Sequence, residues 1–486
     1  MDDVVTLGYF LLVVGIGLSF AVLSNRVSAW IRVPAPALFL VVAAIASEIF
    51  PALGGLSVEN VQRIVTVALI LILFDGGMHI GRRRFRENAS SILSIGVLGT
   101  LLTAGALAVL LNLVFGVDWL PALMLGTALA PTDPAVVFSV LGQREIQGRT
   151  GTILEGESGA NDPVGIAMMA GLLAAGAGGA SAVTHGIVEF VLQLGVGAIV
   201  GVVGGWLLLT FVQRVPLRSD ALHVIRTLAG ACAIYGLATI AHGSGFLAVF
   251  IAGIMLADVA LPFKGEIERF HSALASLGEI VAFTLLGFMI SISALITEGA
   301  LLAGFIIAIL LAIVVRPIFV GMITLPLHIR KGEKIFILWA GLKGAVPILL
   351  GTFILTSGVT GAHRLFDIVV VVVLFSVVVQ GGLVPTVANK LGIPMTVLES
   401  EPWAGGMRFR KKPQGLLSYR VDRDSEAAKS TVGELADRHI WVSMLRRDGQ
   451  LVPMTIETRL APGDDVLVTT DPQRVAEAAE MFDTQD

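Results

Sequence analysis

The sequence predicts an all-α polytopic membrane protein with about 13 transmembrane helices, followed by a small α+β domain. Of its 486 residues, 55% are hydrophobic and only 14% are charged, and the mean hydropathy is +0.86. Such a composition is typical of membrane-spanning helices, because about 20 apolar residues are needed to cross the hydrocarbon core. The number of spans is supported by the distribution of lysine and arginine.

Thirteen apolar stretches are separated by polar or turn residues. They cover residues 4–24, 33–50, 61–80, 88–115, 119–142, 152–176, 185–212, 222–241, 245–260, 273–296, 299–327, 334–356 and 365–389. Loops on one side, with their margins, hold sixteen lysines and arginines, whereas those on the other side hold only Arg63 and Arg364. Because cytoplasmic loops carry the excess of positive charge, this alternation places the amino terminus outside and the carboxyl-terminal tail inside.

The composition changes near residue 393, where short β-like runs begin to alternate with helical pieces. The runs are Gly415–Val421, Ile440–Arg446 and Asp465–Thr469, and the helical pieces lie around Thr431–Arg438 and Arg474–Met481. Turn signals separate them. We therefore predict a transmembrane domain at 1–392, a linker at 393–414 and a cytoplasmic α+β domain at 415–486.

Three carboxylates, those of Asp133, Glu157 and Asp162, lie among residues otherwise suited to hydrocarbon. A charged side chain at the bilayer centre costs about 2.5–3.5 kcal/mol on insertion scales, so an intramembrane acid is a candidate functional residue. The cluster therefore predicts the functional site of the protein in the fifth and sixth spans.

Two spans are predicted to be interrupted within the membrane. Pro131 and Pro134 lie in the middle of the fifth span, and the segment Gly341–Pro347 interrupts the twelfth. Each proline removes an intrahelical hydrogen bond, and free backbone groups are tolerated at this depth only within protein or beside a water-filled cavity. Matching interruptions in two halves of a chain are typical of transporters built from inverted repeats, with the broken helices crossing at the substrate site.

The half-helices at each interruption carry partial charges at their free ends. Asp133 is suited to neutralise the positive amino-terminal end of a second half-helix. Lys343 is suited to neutralise the negative carboxyl-terminal end of a first half-helix.

Four short sequences resemble the motifs of the cation–proton antiporter superfamily. They are Pro131-Thr-Asp-Pro, Glu157-Ser-Gly-Ala-Asn-Asp-Pro, Phe74-Asp-Gly-Gly and Gly341-Leu-Lys-Gly-Ala. The transmembrane part is most similar to the electroneutral branch, which includes NhaP-type antiporters and sodium–proton exchangers. The tail resembles the TrkA-C regulatory module of potassium-transport proteins, so together the two parts resemble the bacterial NhaP-type potassium–proton antiporters.

The leading candidate for the ion carrier is Asp162, because one carboxylate can hold a proton or an alkali cation but not both. The resemblance implies a second acid at the position of Asn161 in electrogenic relatives, so the neutral amide here favours one proton per cation. Thr132 and Ser158 supply the oxygen ligands that hard cations prefer, so the predicted cation site comprises Asp162, Thr132 and Ser158. Asp133 is predicted to hold the geometry of the break.

Four other residues are predicted to support the site. Glu157 needs a partner, for which Lys343 is the candidate, although the family usually carries arginine at that position. Asp75 stands where the family usually has glutamate. It fits either of two roles, one at the entrance or gate of the site and the other as an acid at the membrane interface. Arg316, before a proline in the eleventh span, is predicted to tie helices together by bonding free carbonyls.

Other polar residues are predicted to lie at the membrane surface. Asp258 and Glu279 are read as interfacial acids near the inner ends of their spans. The histidines near span ends are read as solvated. They are His79, His185, His242, His271 and His363.

The resemblance implies alternating access in a homodimer. A transport bundle made of spans four to six and eleven to thirteen moves against a scaffold bundle made of spans one to three and seven to ten. The expected partners are protons, potassium or sodium, and the lipid bilayer of a bacterial inner membrane. No nucleic acid or cofactor is expected, and a small regulatory ligand at the tail is left open. Only the tail favours potassium over sodium.

Two other classes of protein fit parts of the sequence. Gly156-Glu-Ser-Gly and Ala241-His-Gly-Ser-Gly resemble segments of rhomboid proteases, which would make Ser158 and His242 a catalytic dyad. That reading leaves the intramembrane acids unexplained. An ion channel is the other alternative, but the pattern indicates one closed, charged site.

Overall fold

The protein divides into two units, Met1–Leu398 and Glu399–Asp486. The computed structural model describes residues 33–141, 144–146, 148–176, 182–215, 217, 219–259, 261, 263–297, 299–327, 329–397, 416–423, 425–447, 450–470 and 474–482, with six single residues between 8 and 23. The first predicted span, at 4–24, therefore lies almost wholly outside the described residues. So does most of the predicted linker.

The first unit is built from helices. They are α1 (Ala35–Ile49), α2 (Val58–Ile80), α3 (Arg82–Phe115), α4 (Trp119–Leu129), α5 (Pro134–Leu141), α6 (Arg149–Gly176), α7 (Ala182–Arg214), α8 (Asp220–Ile240), α9 (Gly245–Ala257), α10 (Lys264–Phe288), α11 (Ile292–Thr297), α12 (Ala300–Thr324), α13 (Lys331–Trp339), α14 (Ala345–Thr356), α15 (Ala362–Gly381) and α16 (Val384–Lys390). Two short strands, β1 (Arg144–Ile146) and β2 (Met395–Val397), pair antiparallel.

Within the described ranges, eight helical segments are long and apolar enough to cross a membrane, and three further apolar helices are shorter. The 28-residue helix α6 has the necessary length too, but it carries Glu155, Glu157 and Asp162. Each predicted span from 33–50 onward overlaps one or more of these helices. The described helices do not establish the total of thirteen.

Both predicted interruptions are present. Helix α4 ends at Leu129 and α5 begins at Pro134, while α13 ends at Trp339 and α14 begins at Ala345. The two extended segments meet, since the backbone N–H of Asp133 donates to the carbonyl of Leu342 at 2.8 Å. The broken helices therefore cross at their interruptions.

Three helices depart locally from α geometry near this crossing. Helix α3 contains a π-helical turn at Ser94–Gly99, α12 one at Leu311–Val315 and α15 one at Ser376–Gly381. Gly96 in the first of these turns lies against the backbone of Glu157 in α6. Such turns are rare and are frequent at functional sites, and all three lie in the predicted transport bundle.

The second unit contains a four-stranded antiparallel sheet and two helices. Its elements are β3 (Leu416–Arg420), α17 (Val432–Asp437), β4 (Ile440–Arg447), β5 (Gln450–Leu451), β6 (Asp465–Thr470) and α18 (Val475–Phe482), with strand order β3-β6-β4-β5. Alternate residues of β6 are buried, as expected for a strand with one face on a core. Phe482 completes that core by stacking on Tyr419 at 4.8 Å.

Candidate functional site

Asp162 lies halfway along α6, about 20 Å from its first residue at 1.5 Å per residue. Only 8% of its surface is exposed, and the charged groups that act on it are those of Asp133 and Lys343. The crossing of the broken helices therefore brings together the three charged residues predicted for it, although Lys343 is 181 positions from Asp162 in the chain.

A buried chain of polar contacts runs beside Asp162. The amide of Asn161 donates to the hydroxyl of Thr132 at 2.7 Å and accepts from the Thr132 backbone N–H at 3.3 Å. The Thr132 hydroxyl in turn donates to Glu157 at 3.3 Å. These contacts join the break between α4 and α5 to α6, at the residue before Asp162. Ser158 is buried on the same helix.

The partner predicted for Glu157 is wrong. Its Oε1 accepts from Nη2 of Arg316 at 2.7 Å, and both side chains are at least 95% buried. Lys343 lies in the extended break, where its ammonium reaches backbone carbonyls instead. Arg316 also donates to the carbonyls of Leu338 and Ile337 at 3.0 and 3.2 Å, which are free acceptors at the end of α13.

Asp133 and Lys343 contact opposite ends of the half-helices. The carboxylate of Asp133 accepts from the backbone N–H of Ala135 at 2.9 Å, and the amide of Ala345 also acts on it. The ammonium of Lys343 donates to the carbonyls of Ala130 and Pro131, each at 3.0 Å. Asp133 thus contacts the positive amino-terminal ends of α5 and α14, and Lys343 contacts the negative carboxyl-terminal end of α4.

The hydrogen bonds that hold the backbone of Lys343 in place were not predicted from the sequence. Its backbone N–H donates to Ser376, whose hydroxyl contacts Gln380, and the amide of Gln380 donates to the carbonyl of Trp339 at 2.6 Å. A cavity of about 10 Å³ lies between this group and Arg316, room for roughly one water molecule. Ser376 and Gln380 both belong to the π-helical turn of α15, which no sequence motif marks.

Asp75 lies apart, on α2 where that helix packs against α10. It accepts from the hydroxyl of Ser272 at 3.0 Å and pairs with His79 at 3.3 Å. It is buried, with 9% of its surface exposed. This position neither requires nor excludes the predicted entrance role.

Two residues predicted to be interfacial or solvated are not. Glu279 lies fifteen residues after the first residue of α10, in the middle of the helix. His271 is buried on the same helix, with its Nε2 2.8 Å from the hydroxyl of Thr227. Both errors have one cause, because the polar first turns of α10 suggested a span beginning only at 273.

The proposed catalytic dyad is not supported by these positions. His242 is exposed in the turn between α8 and α9, whereas Ser158 is buried in α6.

The amino-acid sequence matches two described protein families. Residues 11–390 match the family described as the transmembrane sodium/hydrogen exchanger, and residues 416–483 match the TrkA-C domain. The chain belongs to the sodium/hydrogen exchanger family. The exchanger is thus a multi-pass membrane antiporter of monovalent cations and protons with a soluble carboxyl-terminal domain, and it is a transporter, not an enzyme.

Named relatives and solved structures agree with this assignment. The exchanger is 34% identical over 391 residues to the K(+)/H(+) antiporter NhaP of Alkalimonas amylolytica, covering 79% of this chain and 67% of that protein. It is 29% identical to the K(+)/H(+) antiporter NhaP2 of Shewanella baltica (strain OS223), over 99% and 84% of the two chains. The sodium proton antiporter MjNhaP1 of Methanocaldococcus jannaschii superposes with a TM-score of 0.67 at 21% identity, covering 80% of this chain and 99% of that structure. The helical membrane fold with a small carboxyl-terminal sheet domain is therefore confirmed.

Proposed function

We propose that the exchanger moves one monovalent cation against one proton, with no net charge transfer, by exposing Asp162 alternately to the two sides of the membrane. The observation that carries this proposal is the buried carboxylate of Asp162, at mid-helix beside the crossing of two helix breaks, with the neutral amide of Asn161 next to it in the chain.

Competition for Asp162 would couple the two ions. A buried carboxylate is costly in its charged form unless a cation or a proton compensates it. Asp133 and Lys343 carry opposite charges and already contact half-helix ends, and Glu157 is paired with Arg316. At the crossing, Asp162 therefore supplies the charge that a transported ion would compensate. If the transport bundle moves only when that charge is compensated, each cycle returns a proton for each cation.

The cation ligands would be Asp162, Thr132 and Ser158. The Thr132 hydroxyl donates its one hydrogen to Glu157 and accepts from Asn161. A hydroxyl oxygen has two acceptor sites, so one of them is left for a cation. Asn161 orients Thr132 and adds no charge.

Potassium is the favoured substrate. The NhaP and NhaP2 relatives are named potassium–proton antiporters, and the TrkA-C match is consistent with potassium. A sodium–proton antiporter with little potassium transport is the alternative, since the relative ApNhaP of Aphanothece halophytica, 27% identical over 399 residues, is named for sodium.

We further propose a homodimer in a bacterial inner membrane, with the amino terminus outside and the tail in the cytoplasm. The positive charges of the predicted inner loops support this orientation. In this proposal no cofactor takes part, Asp75 lines the cytoplasmic entrance, and the domain at 415–486 regulates exchange.

The test is proton flux in vesicles that contain the purified chain, driven by potassium or by sodium. We expect exchange with the natural chain and none with Asp162→Asn, and half-saturation at a lower concentration of potassium than of sodium. For one-to-one exchange, flux should stop when the cation and proton gradients are equal, whatever the membrane potential. Exchange by Asp162→Asn would refute the carrier, and a balance point that moves with the potential would refute electroneutrality.

A further inference from the structure

Glu279 is a partly buried acid on α10 to which the proposed mechanism gives no task. It lies about 22 Å along α10, at 1.5 Å per residue, and hence near the middle of this 25-residue candidate membrane span. An acid at that depth is costly and is a candidate functional residue. The neighbouring Gly278 packs against Ala68 of α2, which places this side of α10 against α2.

One carboxylate oxygen of Glu279 is left without compensation. Its Oε1 is shielded from solvent and has no hydrogen-bond partner among the described residues, although the residue as a whole is partly exposed. The buried cations of the crossing are already engaged, since Arg316 pairs with Glu157 and Lys343 bonds two carbonyls. A structural acid would be expected to have such a partner.

Glu279 lies on a helix that packs against one of the half-helices of the crossing. Helix α10 packs against α14, the half-helix that begins next to Lys343 and Gly344. The charge of Asp133 acts on Glu279. Two negative charges that act on each other without a fixed cation repel, and a mobile cation or a proton removes that repulsion.

The same face of α10 carries a second oxygen group. Ser272 lies seven residues before Glu279, which is about two helical turns, and it donates to Asp75. Ser272 and Glu279 therefore lie on one face of α10, and Ser272 contacts Asp75 of α2.

We propose that Glu279 is a ligand of the transported monovalent cation, supplied by the scaffold bundle opposite the break that holds Asp133. The cation passes between these two carboxylates on its way to Asp162. This inference rests on the proposed role of Asp162.

The test is cation-driven proton flux in vesicles at fixed pH, with the full chain and with Glu279→Gln, which keeps the shape and removes the charge. The half-saturating potassium concentration should rise about tenfold, equivalent to about 1.4 kcal/mol of lost binding, while the maximal rate stays within about twofold. Glu268→Gln on the same helix is the matched control, because its exposed pair with Lys264 at 3.5 Å should contribute little. Glu268→Gln should leave the half-saturating potassium concentration unchanged.

Glu279→Asp keeps the charge and shortens the side chain, so it should fall between the natural chain and Glu279→Gln. It also decides the matter if the glutamine variant does not fold. The proposal is overturned if Glu279→Gln keeps the half-saturating potassium concentration of the natural chain, or if it loses only maximal rate. If only Glu279→Asp folds, an unchanged half-saturating concentration in that variant overturns the proposal. Asp162→Asn is measured in parallel: if it still exchanges, the carrier proposal fails, whereas a dead Asp162→Asn beside an unchanged Glu279→Gln refutes only the role of Glu279.

Discussion

The buried pair of Arg316 and Glu157 gives the sharpest prediction about stability. Arg316→Ala would leave a buried carboxylate without its cation and two carbonyls at the end of α13 without a donor. Removing one partner of a buried ion pair costs about 3–5 kcal/mol, and each lost carbonyl bond costs about 1 kcal/mol. We therefore expect the free energy of unfolding to fall by about 5–7 kcal/mol.

A double-mutant cycle isolates the pair. Glu157→Gln and Arg316→Gln, alone and together, are compared by unfolding the purified chain in mixed micelles with increasing sodium dodecyl sulfate. The double variant should lose less than the sum of the single losses, by about 2 kcal/mol. Arg83→Ala is the surface control, since its pair with Glu87 is largely exposed, and it should cost at most about 1 kcal/mol.

The cycle also separates the observed partner from the one that the sequence suggested. Coupling of Glu157 to Arg316 should exceed coupling of Glu157 to Lys343, measured in the same way with Lys343→Gln. Additive losses for Glu157 and Arg316, or a larger coupling to Lys343, would refute the assignment of the pair.

Three further predictions concern the break, its support and the tail. Gly344→Ala should abolish exchange, because an added Cβ would overlap the carboxylate of Asp133, whereas Gly105→Ala, with open space around it, should leave vesicle flux unchanged. Gln380→Leu should slow exchange at least about tenfold and lower the free energy of unfolding by about 1 kcal/mol, because it removes the hydrogen bond to the partly buried Trp339 carbonyl; a natural rate would contradict this support role. Phe482→Ala should destabilise the tail by about 3–5 kcal/mol, since this ring is fully buried; limited proteolysis of the full chain should then cleave the tail first, and equal resistance would contradict the packing.

The sequence predicts those parts of the site that depend on local chemistry. Proline and glycine mark the two breaks, and the charge of Asp162 is evident in an apolar stretch. The partner of Glu157 was beyond such reasoning, because Arg316 and Lys343 are both more than 150 positions away and only tertiary packing chooses between them.

The errors at Glu279 and His271 have a different physical origin. The first turns of α10 are polar, like the surface end of any membrane helix, so a hydropathy window places the start of the span too late. Pairing of β1 with β2 joins residues about 250 positions apart, and three-residue strands carry no periodic signal.

The central claim is that a cation and a proton compete for Asp162. Its most direct test is the number of protons released when potassium binds to the purified exchanger, measured by titration calorimetry in buffers of different ionisation enthalpy. We predict that proton release approaches one per cation bound as the pH is lowered below the midpoint of exchange, because the carboxyl then carries its proton before the cation binds. With Asp162→Asn we predict neither binding nor release. Potassium binding that releases no proton, or undiminished proton release by the asparagine variant, would contradict the account.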